Sequence, residues 1–128
     1  VSTIEVDLHG YHPDDICGLP LVEIVEQAWQ TGAERLQLIH GHGYNRGLSP
    51  GFVRTNTGFF GLRLRNEFRC NDALRRFVKH TTLDCSHPGA TAVKLKPNPR
   101  PAKAEFDRSL LPPSSVPYRY GWRGRGAA

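Results

Sequence analysis

Two short apolar runs, each closing on a histidine followed by glycine, constrain this chain most. Ile4 and Val6 lead into Asp7-Leu8-His9-Gly10, and Leu36, Leu38 and Ile39 lead into His40-Gly41-His42-Gly43. The alternation over 3–9 and the run Arg35 to His40 both read as β-strands. Between them Leu21, Val22, Ile24, Val25, Ala28 and Trp29 recur at three- and four-residue spacing, which is one face of a helix. Pro20 suits the first helical position and Gly32 the C-terminal cap. Strand, helix and strand in this order form a βαβ unit, whose two strands run parallel with a right-handed crossover. Parallel strands deliver their following loops to the carboxyl edge of the sheet. Both histidine motifs are therefore expected at one edge.

The rest of the chain supplies the other elements. Residues 41–58 are rich in Gly, Asn, Ser and Thr and read as a long loop, a kind that in compact domains usually serves function. Gly61 to His80 is mostly helical by pattern. Leu62, Leu64 and Phe68 are its first apolar positions, Leu74, Phe77 and Val78 its last, with a break near Cys70-Asn71-Asp72. Ala90 to Leu95 is a clear strand, Thr81 to Cys85 a weak one, and the turn Ser86-His87-Pro88-Gly89 joins them. The expected class is α/β, packed over residues 1–96. From Pro97 the chain carries six prolines, then an Arg- and Gly-rich end with Tyr118, Tyr120 and Trp122; this reads as an extended tail over 97–128, outside the packed unit.

Charge narrows the partner. The net charge is +5, with 13 arginines against 4 lysines. Arginine pairs bidentately with phosphate and stacks on bases, so the bias favours nucleic acid. Cys17, Cys70 and Cys85 are scattered and odd in number, which supports neither a disulfide framework nor a cysteine-type zinc site and fits the reducing cytoplasm. No run approaches a membrane span and no signal-peptide pattern opens the chain, so no membrane partner is expected. The chain starts at Val1 and has no methionine, which allows for a fragment of a longer protein. We expect a monomer.

The edge motifs admit three chemistries. Asp7 and His9 share one strand face, so Asp7 can orient His9 as a proton-transfer group, with His40 as the second. Alternatively Asp7, with Asp14 or Asp15, holds Mg2+ or Mn2+ against a phosphate. The third use is zinc on His9, His40, His42 and Asp7, although the spacing is no recognised zinc signature. No organic cofactor is indicated. His12, His80 and His87, taken singly, read as structural histidines. Backbone N–H groups at Gly41 and Gly43 are candidates to face a phosphate, with His42 beside them. Arg46, Arg54, Arg63 and Arg65 lie in or just after the long loop and are candidate phosphate contacts, joined by Lys94. Arg75, Arg76 and Lys79 read as the solvated face of a helix, and the Arg-Gly tail either grips single strands or is a soluble terminus.

Three motifs together resemble the Smr (small MutS-related) domain family. Val6-Asp7-Leu8-His9-Gly10, Leu38-Ile39-His40-Gly41-His42-Gly43 and Gly89-Ala90-Thr91-Ala92-Val93-Lys94-Leu95 follow that family's L-D-L-H-G, I-H-G-x-G and G-A-T-x-V-x-L in the same order. The resemblance runs from Ile4 to Lys96. It implies a βαβαββ domain with a four-stranded mixed sheet and two main helices, similar to the C-terminal domain of translation initiation factor three. It also implies DNA or RNA binding, with nicking endonuclease or endoribonuclease activity in several members, some metal-dependent, and a binding role, including at ribosomes, in others. Asp7 and His9 match the first functional motif; His40, Gly41 and Gly43 match the second. The chain departs from the family at His42, where lysine or arginine is frequent, and in its longer stretch from Tyr44 to Gly58. The expected function is phosphodiester cleavage by Asp7, His9 and His40, and the competing one is a non-catalytic nucleic-acid- or ribosome-binding module. A zinc hydrolase of unrelated substrate is the third.

Overall fold

A four-stranded mixed sheet organises the molecule, in the order β1-β2-β4-β3. The structure, a computed structural model, describes residues 2–41 and 58–111. The strands are β1 (Thr3–Asp7), β2 (Arg35–Ile39), β3 (Val78–Asp84) and β4 (Ala90–Leu95). The helices are α1 (Pro13–Ile16), α2 (Leu19–Gln30) and α3 (Phe59–Cys70). As the βαβ reading requires, β1 and β2 are parallel neighbours, with Val6 opposite Leu38 and Asp7 opposite Ile39. β4 runs antiparallel to both β2 and β3.

Alternation decides what each strand buries. Val6, Leu8, Leu36, Leu38, Val93 and Leu95 face a core completed by Leu21, Ile24, Val25 and Ala28 of α2 and by Phe60, Leu64 and Phe68 of α3. The alternate strand positions, among them Glu5, Arg35, Gln37, Ala92 and Lys94, lie outside that core. The sheet thus has one packed face and one open face, as mixed and antiparallel sheets permit. α2 ends where expected: Thr31 is its cap and Gly32 follows at φ +79°, a left-handed conformation that glycine adopts without strain.

Three expectations change. The stretch from His12 is not all loop: His12 accepts the Asp14 N–H at 3.0 Å and caps the single turn of α1. The second helical segment before His80 reduces to a 3-10 turn, Leu74–Arg76. Val78 instead pairs with Leu95, and Lys79 with Lys94, at the start of β3. The spacing of Leu74, Phe77 and Val78 mimics a helical stripe, but pairing to β4 satisfies the backbone of 78–79.

The packed unit also extends past residue 96. Residues 97–107 run along the domain without helix or strand and end in a 3-10 turn, Arg108–Leu110. Asn98 Nδ2 donates to Trp29 O at 3.0 Å, and the N–H groups of Ala102 and Lys103 donate to Gln30 O at 2.9 and 3.1 Å. Gln30 O is a carbonyl that the end of α2 leaves open, whereas Trp29 O already accepts the Gly32 N–H at 3.1 Å. Phe106, Leu110 and Leu111 pack on the core, and Arg108 donates to Glu5 O on the outer edge of β1. Residues 112–128 lie outside the described residues. Among the described residues no helix is long and apolar enough to cross a membrane.

Candidate functional site

The two histidine motifs do meet at the carboxyl edge of β1 and β2. Leu8 N–H donates to Ile39 O at 2.7 Å, which continues the ladder beyond Asp7. Gly41 sits at φ +68°, and a Cβ there would lie 3.4 Å from His9 Cβ. The second motif therefore turns directly beneath the first.

Asp7 and His9 form the exposed half. Asp7 Oδ1 accepts both the His9 backbone N–H and the His9 ring Nδ1–H, each at 3.0 Å. The side chains are 60% and 71% exposed. A carboxylate accepts only, so the Nδ1 proton is fixed and Nε2 is left as the basic lone pair. This is an oriented imidazole open to an incoming group.

His40 is different in kind. Its side chain is 1% exposed and both ring nitrogens are engaged. Nδ1 lies 2.9 Å from Gly41 O, and a carbonyl only accepts, so Nδ1 carries the proton. Nε2 lies 3.0 Å from Thr91 Oγ1. That hydroxyl also accepts from Arg65 Nε at 2.8 Å. The consistent assignment has Arg65 donating to Thr91, Thr91 to His40, and His40 to Gly41. His40 is then a neutral ring in a buried relay beside one guanidinium, and a second buried cation there would be costly. The ring, expected as a second proton-transfer group, is closed between Gly41 O and Thr91 Oγ1 in this geometry and ties the Gly41 turn to β4.

Arg65, expected as a phosphate contact, is buried likewise. It is 6% exposed, and its Nη2 donates to His87 O at 2.8 Å and Ala90 O at 3.1 Å. It ties α3 to the start of β4 and does not present itself to phosphate. Arg63, two positions earlier in α3, pairs with the Asp14 carboxylate. That bond holds the Asp14 carboxyl below its usual range. The Gly41 N–H donates to Gly89 O at 2.9 Å, so it is spent on the fold and does not face a ligand. Lys94 is exposed on the open sheet face, away from this edge. His42, Gly43, Arg46 and Arg54 lie outside the described residues.

Metal chemistry finds little to hold an ion. Among the described residues no three His, Cys, Asp or Glu side chains converge. Asp7 and His9 are already bonded to each other, Asp14 is committed to Arg63, and a closed zinc site needs four donors. These residues do not fit a protein-built metal cage. Burial pushes the Cys17 thiol up to about 11, which disfavours the thiolate.

Two residues escaped the sequence reading. Thr91 and Gly89 join the second motif to β4. Alternation puts Thr91 on the core face with Val93 and Leu95, where a hydroxyl must find a partner. The same parity separates the histidines: His40 follows Leu36 and Leu38 inward, whereas Asp7 and His9 alternate with buried Val6 and Leu8. Arg65 adjoins Leu64 on the inward stripe with Phe60 and Phe68, which was its signal.

No family model, curated protein or solved structure matches this chain.

Proposed function

We propose that this chain is a nucleic-acid-binding domain whose Asp7–His9 pair acts on phosphodiester bonds. The observation that carries this reading is the exposed His9 ring, held by Asp7 at Nδ1 with Nε2 open, at the edge where the two glycine-punctuated motifs converge. Excess arginine and the resemblance of the three motifs to Smr domains point to the same partner. In this reading His9 Nε2 takes the proton of the attacking hydroxyl or water as the new P–O bond forms; the scissile P–O bond breaks, and the departing alkoxide oxygen takes a proton from solvent water. Asp7 stabilises the resulting imidazolium. Gly41 lets the second motif pass under His9, and the Arg65–Thr91–His40 relay keeps it there. Mg2+ or Mn2+ would enter this scheme together with the phosphate, since among the described residues no three donor side chains converge.

The test is cleavage of labelled single- and double-stranded RNA and DNA, with and without chelator, by wild type, Asp7→Asn and His9→Gln. Chelator-resistant RNA cleavage leaving cyclic phosphate ends, lost in His9→Gln, is the expected result. Cleavage unchanged in His9→Gln overturns the assignment.

The burial of His40 specifically favours a second reading, a binding module without turnover. It removes one of the two proton-transfer groups that RNA transesterification uses. This reading predicts salt-sensitive binding and no cleavage under any metal.

A further inference from the structure

A row of three cations crosses the open face of the sheet at the end remote from His9. In the register Arg35 of β2 lies opposite Lys94 of β4, and Lys94 lies opposite Lys79 of β3. Like charges directly opposite one another on a sheet are destabilising, so such a row needs a reason. Neighbouring carboxylates supply little of it. Asp84 is bonded to Ser86 and only feels Arg35 through space, and among the described residues no ion pair is seen between Glu34 or Asp84 and the three cations. Arg35, Lys79 and Lys94, with Lys96 and Asn98, instead line a groove of about 450 Å³ that also includes Glu34. Four cations against one carboxylate leave the groove positive.

The middle of this face carries small side chains. Ala90 and Ala92 of β4 are outside the core cluster and are only 5% and 7% exposed. With Gln37, Asp84 and His87 they form a shallow trough beside Arg35. Four residues of β2 separate the Arg35 end from Ile39, the partner of Asp7, which is about 13 Å at ~3.3 Å per residue. A strand of a few nucleotides spans that distance.

We infer that Arg35, Lys79 and Lys94 form a phosphate-binding row that holds a single nucleic-acid strand on the open sheet face, leading it to the Asp7–His9 edge. This rests on the nucleic-acid reading above and adds to it a location and a polarity-free mode of grip. Phosphates supply the anions that the row lacks, and the trough of Gln37, Ala90 and Ala92 leaves room for the strand between the two ends.

The test is binding of a fluorescent single-stranded RNA of roughly a dozen nucleotides, within the site sizes of about 4–16 known for small β folds, across a range of KCl concentrations. Wild type is compared with Lys79→Ala/Lys94→Ala and with Arg35→Gln/Lys79→Ala/Lys94→Ala. Each phosphate contact removed should lessen the slope of log affinity against log salt by about 0.7, so the triple variant should lose about 2. Its affinity at low salt should fall about tenfold or more. Poly-glutamate should compete poorly with the oligonucleotide. A triple variant with wild-type slope and affinity overturns the row and leaves the nucleic-acid reading standing. Poly-glutamate competing as well as RNA assigns the row to an acidic peptide and overturns it too. Wild type without salt-dependent binding removes both. Thermal unfolding gives an independent check: relieving the repulsion should leave the melting midpoint of the double variant at or above that of wild type, and a lowered midpoint contradicts the energetic argument.

Discussion

Thr91→Val isolates the buried relay beneath the site. Valine matches threonine in shape, so the core stays filled while one hydroxyl disappears. That hydroxyl serves two groups: it accepts from Arg65 Nε at 2.8 Å and meets His40 Nε2 at 3.0 Å. Orphaning a buried polar group costs about 1–3 kcal/mol, more where a charge is involved. Arg65 keeps its Nη2 bonds to His87 O and Ala90 O, which limits its loss. The expected destabilisation is therefore about 3 kcal/mol, a large part of the ~5–15 kcal/mol typical of a domain. Thr91→Ser retains the hydroxyl and loses one methyl, for about 1 kcal/mol. Urea unfolding at equal m-value separates the two, with the valine midpoint lower by roughly 1–2 M. Thr91→Val as stable as wild type, or more stable than Thr91→Ser, would refute the relay and return His40 to the candidates for chemistry.

Other consequences are sharper on their own ground. Gly41→Ala places a Cβ 3.4 Å from His9 Cβ at φ +68°; it should destabilise by about 1–2 kcal/mol, measured by denaturation, and lower any cleavage further by displacing His9. Ending the chain after Lys96 opens the Gln30 carbonyl, removes the Asn98 bond to Trp29 O and uncovers the apolar surface under Phe106, Leu110 and Leu111. A loss of about 3 kcal/mol is expected in thermal or urea unfolding, and an unchanged midpoint would contradict the strap. Cys17 keeps its proton to about 11 when folded and releases it near 9.0 when unfolded. Its contribution is therefore full below pH 9 and is lost as pH rises toward 11; wild type should converge on Cys17→Ser over that window, by about 1 kcal/mol after solvent screening.

Much of this arrangement is written plainly in the residues. Ile4, Val6, Leu36 and Leu38 alternate, the α2 stripe runs from Leu21 to Ala28, and together they impose the parallel pair and bring the motifs to one edge. The burial of His40 is written there as well, in the parity it shares with Leu36 and Leu38, but residue type alone makes it look equal to His9. Arg65 misleads for the same reason: charge count treats it as surface, and only its place beside Leu64 on the α3 stripe says otherwise. Only the later part of β3 was legible, as the weak strand from Thr81: Leu74, Phe77 and Val78 satisfy a helical period by coincidence and hide its start, and its ladder is irregular between Lys79 and Asp84. The strap over 97–111 could not be read, since a proline-rich extended segment has the same composition whether free or laid against α2. The cation row depends on register across three strands, which no single stretch of sequence contains.

The two histidines provide the most direct measurement. Their ring resonances can be followed by NMR in the unaltered chain while a single-stranded oligonucleotide is added. The account predicts that the His9 ring, exposed and oriented by Asp7, shifts with nucleic acid, while the His40 ring, closed between Gly41 and Thr91, stays in place. A His40 ring that responds while His9 remains unmoved would contradict it.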